Sequence, residues 1–235
     1  MNRWANIAAV LLVTVTCGGC GTDDQAALFD VLADRSGGGS ERRYDSLADL
    51  LPNRLFQETG GDAAPLMDLV VSGRVQAVRQ GAAFANVDTA EESRRVDYES
   101  ALASWRTVHL TVQPTEHFGG EEAGETIMIG MVIPPALEPA AVERSLSDSQ
   151  WLFFLYRDSA VFDYVDGVFA IAANGETLTE IEADGSLRLP ALRRDGQSQG
   201  EEAALLRDVE TLDLLRSASK QPLSVVDGAG PAGGD

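Results

Sequence analysis

The side chains of this sequence that could carry out acid–base, nucleophilic or metal chemistry are few. It contains two histidines, His109 and His117, and two cysteines that both lie within the first 20 residues. A Ser-His-Asp hydrolase needs a histidine beside a serine and a carboxylate, and we predict no nucleophile elbow of the Gly-x-Ser-x-Gly type in this chain. We interpret His109 as a residue on the wetter face of a strand, not as a catalytic base.

Two groups of acidic residues are candidates for holding a metal ion. The first lies in a glycine-containing stretch and comprises Glu116, His117, Glu121 and Glu122. Its spacing is not that of a zinc site, so we interpret it as a solvated loop. The second lacks the regular ladder of a calcium loop and comprises Asp163, Asp166 and Glu176. Because the sequence has no phosphate-binding glycine loop either, we predict no metal and no cofactor.

The net charge of the chain narrows the choice of partners. With 37 acidic and 18 basic residues the formal net charge is −19, and removal of residues 1–19 would take away one cation, Arg3, and no acid. Such a protein repels the phosphates of nucleic acids and of anionic lipids, so we expect no nucleic-acid partner. Stable residence at a membrane would therefore depend on a hydrophobic anchor.

The N-terminus has the features of an export signal. Arg3 precedes a mostly apolar stretch over residues 4–15, and the small residues Gly18 and Gly19 follow. A membrane-spanning helix needs about 20 apolar residues, and this stretch is shorter. We therefore predict a signal peptide over residues 1–19.

The residues around the end of this signal suggest a lipid anchor. Cys17, Gly18 and Gly19 precede Cys20, and polar residues 22–24 follow it. This arrangement resembles the lipobox of bacterial lipoproteins, and the predominance of arginine over lysine is typical of the high-GC Gram-positive type. The resemblance implies that Cys20 is lipidated, becomes the new N-terminus and holds the protein on the extracytoplasmic face of the cell membrane. The alternative is ordinary secretion after cleavage nearby.

Alternating apolar and polar residues predict a series of strands in the rest of the chain. Gly73 lies inside the first strand and indicates a bulge or a sharp coil. The pairs Asn174-Gly175 and Asp184-Gly185 predict hairpin turns, and therefore an antiparallel meander near the end of the series. The predicted strands start at Leu66 and continue at residues 105–112, 126–133, 150–156, 167–173, 176–183 and 186–189.

Helical and irregular segments flank these strands. Helices are predicted over residues 25–35, from a cap at Ser46 to Leu51, over 139–146, and as one amphipathic helix over 201–215. The glycine run 37–39 is typical of a flexible linker. We interpret residues 81–100 and 113–124 as irregular excursions between strands.

These elements predict a mainly β (α+β) fold, namely a small antiparallel OB-like barrel with flanking amphipathic helices. We expect the C-terminal helix to pack on the barrel, with docking to a partner as the alternative. The predicted organisation is 1–19 signal peptide, 20–61 lipid tether, linker and short helices, 62–195 barrel, 196–220 C-terminal helix and 221–235 disordered tail.

The strand sequences 68–75, 107–112 and 152–155 resemble those of secreted bacterial OB-type barrels, akin to the netrin-like modules of metalloproteinase inhibitors. The chain lacks the N-terminal cysteine pairing of those inhibitors, so inhibition is not implied. We expect a non-catalytic binding module whose partner is an envelope protein, a peptide or a glycan. The alternative is a secreted hydrolase that uses paired carboxylates on the barrel.

Overall fold

The computed structural model describes residues 20–36, 44–57, 62–85, 94–157, 168–192 and 199–227. Its described α-helices are α1 Cys20–Ser36, α2 Pro139–Leu146, α3 Gln199–Leu206 and α4 Leu212–Ser219, and 3-10 turns span Leu47–Leu50 and Ala172–Gly175. Its described strands are β1 Arg54–Gln57, β2 Ala64–Pro65, β3 Leu69–Ala85, β4 Arg94–Val96, β5 Trp105–Gly120, β6 Ile127–Ile133, β7 Gln150–Tyr156, β8 Val168–Ile171, β9 Thr179–Ile181, β10 Leu187–Arg188 and β11 Ser224–Asp227. The prediction of a mainly β, α+β fold is confirmed.

Five strands of the large sheet close into a ring. The pairs β3–β5, β5–β6, β7–β8 and β7–β3 are antiparallel, and the pair β6–β8 is parallel. In chain order the ring strands are β3, β5, β6, β7 and β8, and α2 lies between the third and the fourth. OB folds are five-stranded Greek-key barrels, so this arrangement confirms the predicted OB-like barrel.

Strand β7 has two apolar faces because it lies between two buried layers. Trp151, Phe153 and Leu155 point into the barrel, whereas Leu152 and Phe154 point to its outer side, and all five are fully buried. Successive side chains of a strand lie on opposite faces. A strand that is buried on both sides therefore reads as a continuous apolar run, and the predicted central strand over 150–156 is confirmed.

Gly73 lies at an irregularity of the ladder between β3 and β5. The pairing register shifts between Ser72 and Gly73, while Gly73 also pairs with Trp151 of β7. A Cβ atom at residue 73 would lie 2.7 Å from both the carbonyl oxygen of Gln113 and Cγ1 of Val112. The close approach of β5 thus requires glycine here, and the predicted bulge is confirmed.

Helices α1 and α2 pack against each other at one end of the barrel, which we call the helical end. Leu28, Phe29 and Leu32 of α1 are buried in the same core as the barrel interior, and the Phe29 ring lies 5.7 Å from the ring of Trp151. The Trp151 indole N–H donates to the carbonyl oxygen of Leu146 at the end of α2, at 2.8 Å. The helix predicted over 25–35 is therefore part of the core.

The outer side of β3 and β7 is covered by a second layer. The first 3-10 turn, α3 and α4 form one buried apolar cluster with Val70, Leu152 and Phe154. Packing of the C-terminal region on the barrel is thus confirmed. The single helix predicted over 201–215 is wrong, because the chain breaks into α3 and α4.

The break between α3 and α4 serves hydrogen bonding to the hairpin of β9 and β10. The Leu187 N–H donates to the Glu210 carbonyl, and the Leu212 N–H donates to the Gly185 carbonyl, both at 2.9 Å. Thr211 then caps α4. An uninterrupted helix would have used these backbone groups internally, so the hairpin outweighs the helical pattern.

Two segments predicted as irregular are strands. Residues 81–85 continue β3, and residues 113–120 continue β5. Strand β4 also lies within the predicted excursion 81–100. Local composition favours a loop at 113–124 because of its proline and glycines, but the long ladder from Val75 opposite Val112 to Leu69 opposite Gly120 satisfies the backbone there.

Of the two predicted hairpins, the one at Asp184-Gly185 is confirmed. It joins β9 to β10, with Ile181 opposite Leu187 and a positive φ at Gly185. The hairpin predicted at Asn174-Gly175 is wrong, because β7 lies between β8 and β9 in the sheet. The second 3-10 turn carries the chain across instead, so the meander predicted over 167–189 holds for its last two strands.

A small second sheet joins distant parts of the chain, with the order β11-β1-β2. Strand β11 is parallel to β1, with Arg54 opposite Ser224. The Asn53 side-chain amide donates to the carbonyl oxygens of Ala218 and Gln221, at 2.9 and 3.0 Å. Residues 224–227 therefore form a strand, although the sequence placed them in the disordered tail 221–235.

Candidate functional site

The barrel has two outer walls that differ in exposure. The wall of β3 and β7 is covered, and Val70, Leu152 and Phe154 are each 0% exposed. On the wall of β5 and β6 the side chain of Met128 is 38% exposed. We call this second surface the β5–β6 face and define it by Arg79, His109, Thr111, Met128 and Gly130.

The register of the ladders places these five residues side by side. His109 lies opposite Arg79 of β3 on one side and opposite Gly130 of β6 on the other, and Thr111 lies opposite Met128. Directly opposite residues share a face, with Cβ atoms about 4.5–5.5 Å apart. Gly130, which has no side chain, is itself buried at this position.

Arg79 reaches this face because of a second irregularity in β3. The sequence pattern placed Val75 and Ala77 on the same face, but the register shifts between them. Ala77 therefore lies opposite the outward Thr111, and Arg79 lies opposite His109. A single extra residue in a strand reverses the alternation, and alternation alone cannot locate it.

His109 is the one predicted candidate that lies on the β5–β6 face. It is half-buried there, next to the core residues of β5, as expected for the wetter face of a strand. Burial holds the pKa of the His109 ring below its ordinary value of 6.5, so the imidazole is neutral at pH 7. A neutral imidazole can donate and accept hydrogen bonds without carrying charge.

The first predicted acidic group is dispersed among separate partners. The Glu116 carboxylate accepts from Nε and Nη2 of Arg216, at 2.7 and 2.8 Å. His117 is exposed, and its Nε2 lies 2.8 Å from the carbonyl oxygen of Glu121. The Glu121 side chain binds Arg157. Among the residues that the structure describes, no group of three or more metal-ligating side chains is found.

At the end of the barrel opposite the helical end, Arg157 contacts residues of three different segments. Its Nε and Nη2 donate to the Glu121 carboxylate at 3.0 and 2.5 Å, and its backbone N–H donates to Asp68 Oδ2 at 2.7 Å. The guanidinium also lies 4.5 Å from the Phe169 ring centroid. The hydrogen bonds from Arg157 lower the pKa of Glu121. Glu122 is exposed beside this group.

The second predicted acidic group lies mostly beyond what the structure describes. Asp163 and Asp166 are outside the described residues, and Glu176 is buried after the second 3-10 turn. Cys20, the predicted lipidation site, is the first residue of α1. The predicted signal peptide over 1–19 is outside the described residues.

The prediction that the chain has no Gly-x-Ser-x-Gly motif is wrong. Residues 196–200 read Gly-Gln-Ser-Gln-Gly, which is the G-x-S-x-G spacing of a nucleophile elbow. An elbow places its serine between a strand and a helix, and Ser198 directly precedes α3. Ser198 itself lies outside the described residues. The preceding strand, β10, is a two-residue strand at the edge of the sheet, whereas an elbow follows a strand at the top of an α/β sheet.

A cavity of about 490 Å³ lies in the second layer. Its polar lining is engaged in holding the chain together. Arg54 donates to Ser224 Oγ and to Gln221 Oε1, both at 2.5 Å, and Asp49 Oδ2 accepts from the Ser46 N–H at 2.9 Å. It is lined by Ala48, Asp49, Arg54, Asp208, Ala218, Gln221 and Val226. We assign it no ligand, because its best donors and acceptors already have partners.

No known family model matches the chain, and the curated proteins compared with it include no significant relative. In the described part of the chain no helix has the length and apolar character needed to span a bilayer. The β5–β6 face is therefore interpreted from its own geometry and from the OB-like fold.

Proposed function

We propose that this protein is a membrane-anchored, extracytoplasmic binding module that recognises a protein or peptide partner through its β5–β6 face. The observation that carries the proposal is the exposure of Met128 on one wall of a barrel whose other wall is fully covered. Flexible, polarizable methionine side chains suit contacts with apolar partner surfaces.

The position of this face agrees with how OB folds are used. Ligands of OB folds commonly bind the surface of the second and third barrel strands, which correspond here to β5 and β6. This support is an analogy at the level of the fold. The net charge of −19 disfavours nucleic acid, which leaves uncharged or basic partners.

The anchor in this proposal is a lipid on Cys20, as the resemblance to a lipobox implies. Each buried methylene contributes about 0.8 kcal/mol, so two or more acyl chains would hold the protein at a membrane against its negative charge. Cys20→Ser is then expected to release the protein into the medium or to stall its processing. Detergent partitioning and intact mass test this, and a mature protein without added lipid mass would refute the anchor.

The face is tested by photo-crosslinking in intact envelopes. A benzophenone amino acid at position 128 is expected to give a discrete crosslinked product, and Met128→Asp is expected to lower the amount of partner retained. The matched control is the same amino acid at Leu102, which is 72% exposed and lies before β5. Products at both positions or at neither would reject the β5–β6 face as the binding site.

The alternative of a carboxylate hydrolase is tested with the same protein. Glu116 and Glu121 are each bound to an arginine, which suits ion pairing and not a shared proton. Turnover of an ester, peptide or glycan substrate that is lost on Glu116→Gln would overturn the binding-module proposal. Full retention of partner capture in that variant is the expected result.

A further inference from the structure

We propose that the barrel is held directly at the membrane surface with its helical end toward the lipid, so that its side wall lies close to the bilayer. The inference rests on the proposed lipidation of Cys20. It adds a position and an orientation that the anchor alone does not specify. The structural basis is α1, which begins at Cys20 and ends inside the core of the barrel.

Helix α1 is an integral part of the barrel. Leu28, Phe29 and Leu32 are 0%, 2% and 1% exposed, and they pack with interior residues of the barrel such as Trp151 and Phe153. Detaching the helix would expose these side chains and open the core. The segment after the lipid therefore cannot serve as a flexible tether.

The distance from lipid to barrel is short for this reason. Leu28 is eight positions after Cys20 in α1, and at 1.5 Å per step the two residues are about 12 Å apart along the helix. A flexible chain over the whole segment 20–61 would have a root-mean-square length of about 35 Å. The glycine run 37–39 comes after α1, and both α1 and the 3-10 turn at Leu47–Leu50 are packed on the barrel, so it adds no reach.

The anchor also orients the barrel. Helix α1 packs on α2 and on the second 3-10 turn, which together form the helical end. The opposite end carries Glu121, Glu122 and Arg157. Strand β7 runs from one end of the barrel to the other over seven residues. Since a strand rises about 3.3 Å per residue, the end that carries Glu122 lies about 20 Å from the helical end.

This placement limits which molecules the β5–β6 face can meet. The face lies on the side wall of the barrel, within one barrel height of the lipid. A partner that binds this face must therefore come within that distance of the bilayer.

The test uses full-length lipidated protein in neutral phosphatidylcholine vesicles that carry nitroxide on the lipid headgroup. The mature chain has one cysteine, Cys20, which the lipid occupies. A cysteine introduced elsewhere is therefore the single free thiol for a fluorophore. Ala140→Cys reports on the helical end, and Glu122→Cys reports on the opposite end, both at exposed positions.

We expect strong quenching of the label at position 140 and weak quenching at position 122. A flexible Gly-Ser insert between Asp24 and Gln25, which leaves Leu28 to Leu32 in register, is expected to abolish the quenching at position 140. Equal quenching at the two positions, or quenching at position 140 that survives the insert, would overturn the proposed position of the barrel at the membrane.

The failure of the anchor itself would be recognised separately. Protein that lacks lipid mass and does not bind vesicles refutes the lipidation of Cys20 before any quenching is measured. The docking of α1 is then still measurable in the soluble Cys20→Ser protein, where Phe29→Asp is expected to lower the denaturation midpoint. An unchanged midpoint in that variant would show that α1 is not part of the core. It would overturn the proposed position of the barrel at the membrane, whether or not Cys20 is lipidated.

Discussion

The two outer walls of the barrel both consist of strands that carry large apolar side chains, but the two walls differ in solvent exposure. Phe154 on β7 and Met128 on β6 are both large apolar side chains that point away from the barrel interior. Phe154 is 0% exposed beneath the C-terminal helices, whereas Met128 is 38% exposed. The difference shows that the C-terminal layer covers the wall of β3 and β7 and leaves Met128 on the other wall in contact with solvent.

The largest expected effect comes from the covered wall. Phe154→Ala should destabilise the protein by about 3–5 kcal/mol, because it leaves a cavity between the barrel and the C-terminal layer. Met128→Ala on the opposite wall should stay within about 0.5 kcal/mol of the parent protein. Chemical denaturation of the two variants measures this, and similar losses for both would remove the distinction between the walls.

The next effect concerns the bulge that lets β3 pair with both β5 and β7. Gly73→Val should cost about 1–3 kcal/mol, because a Cβ atom there would overlap the backbone of β5. The matched control is Gly200→Val, where a Cβ atom meets nothing within 4 Å. Denaturation midpoints that fall equally would show that close approach at Gly73 is not the constraint.

A smaller effect is expected where the C-terminal layer meets β5. Arg216 of α4 binds Glu116 with side chains that are 38% and 32% exposed, so solvent weakens the pair. A double-mutant cycle with Arg216→Ala and Glu116→Ala should give a coupling free energy of about 0.2–1 kcal/mol. Arg216→Ala with Glu121→Ala should give none, since Glu121 pairs with Arg157. Equal coupling free energies in both cycles would contradict a specific ion pair between Arg216 and Glu116.

The smallest expected effect is the pH dependence of stability that arises from the partial burial of His109 on the β5–β6 face. Burial lowers the pKa of His109 in the folded state from its ordinary value of 6.5. The unfolded chain therefore binds a proton at higher pH than the native protein does. Stability that is present above pH 6.5 should be lost as the pH falls from there toward the folded pKa.

His109→Gln should flatten this pH dependence, because it removes the half-buried imidazole. The measurement is the denaturation midpoint between pH 5 and pH 8. Identical pH profiles in the parent protein and in His109→Gln would show that the face is fully hydrated.

The sequence was informative where packing follows alternation and poor where tertiary contacts override it. The strand at 150–156 and the helix at 139–146 are both confirmed, because each carries a strong local pattern. The ends of β3 and β5 were missed, since their backbone bonds depend on a partner strand tens of residues away. The break before Thr211 was missed for the same reason.

The candidate face was predictable only in part. The pattern of Thr107, His109 and Thr111 placed His109 on the outward side of its strand, as observed. The sequence did not predict that Arg79 and Gly130 belong to this face, because their positions depend on the register between strands and on a bulge in β3. Exposure of Met128 depends on where the helices pack, which no single strand encodes.

The pairing of β1 with β11 has a consequence for how the domain is completed. Arg54 donates a hydrogen bond to Ser224, a residue 170 positions later in the chain. A contact of such long sequence separation forms late in folding, after the loop between its partners has closed. The small sheet can therefore close only after residue 224 has been made and brought to residue 54. A chain truncated before Ser224 would lack the parallel partner of β1.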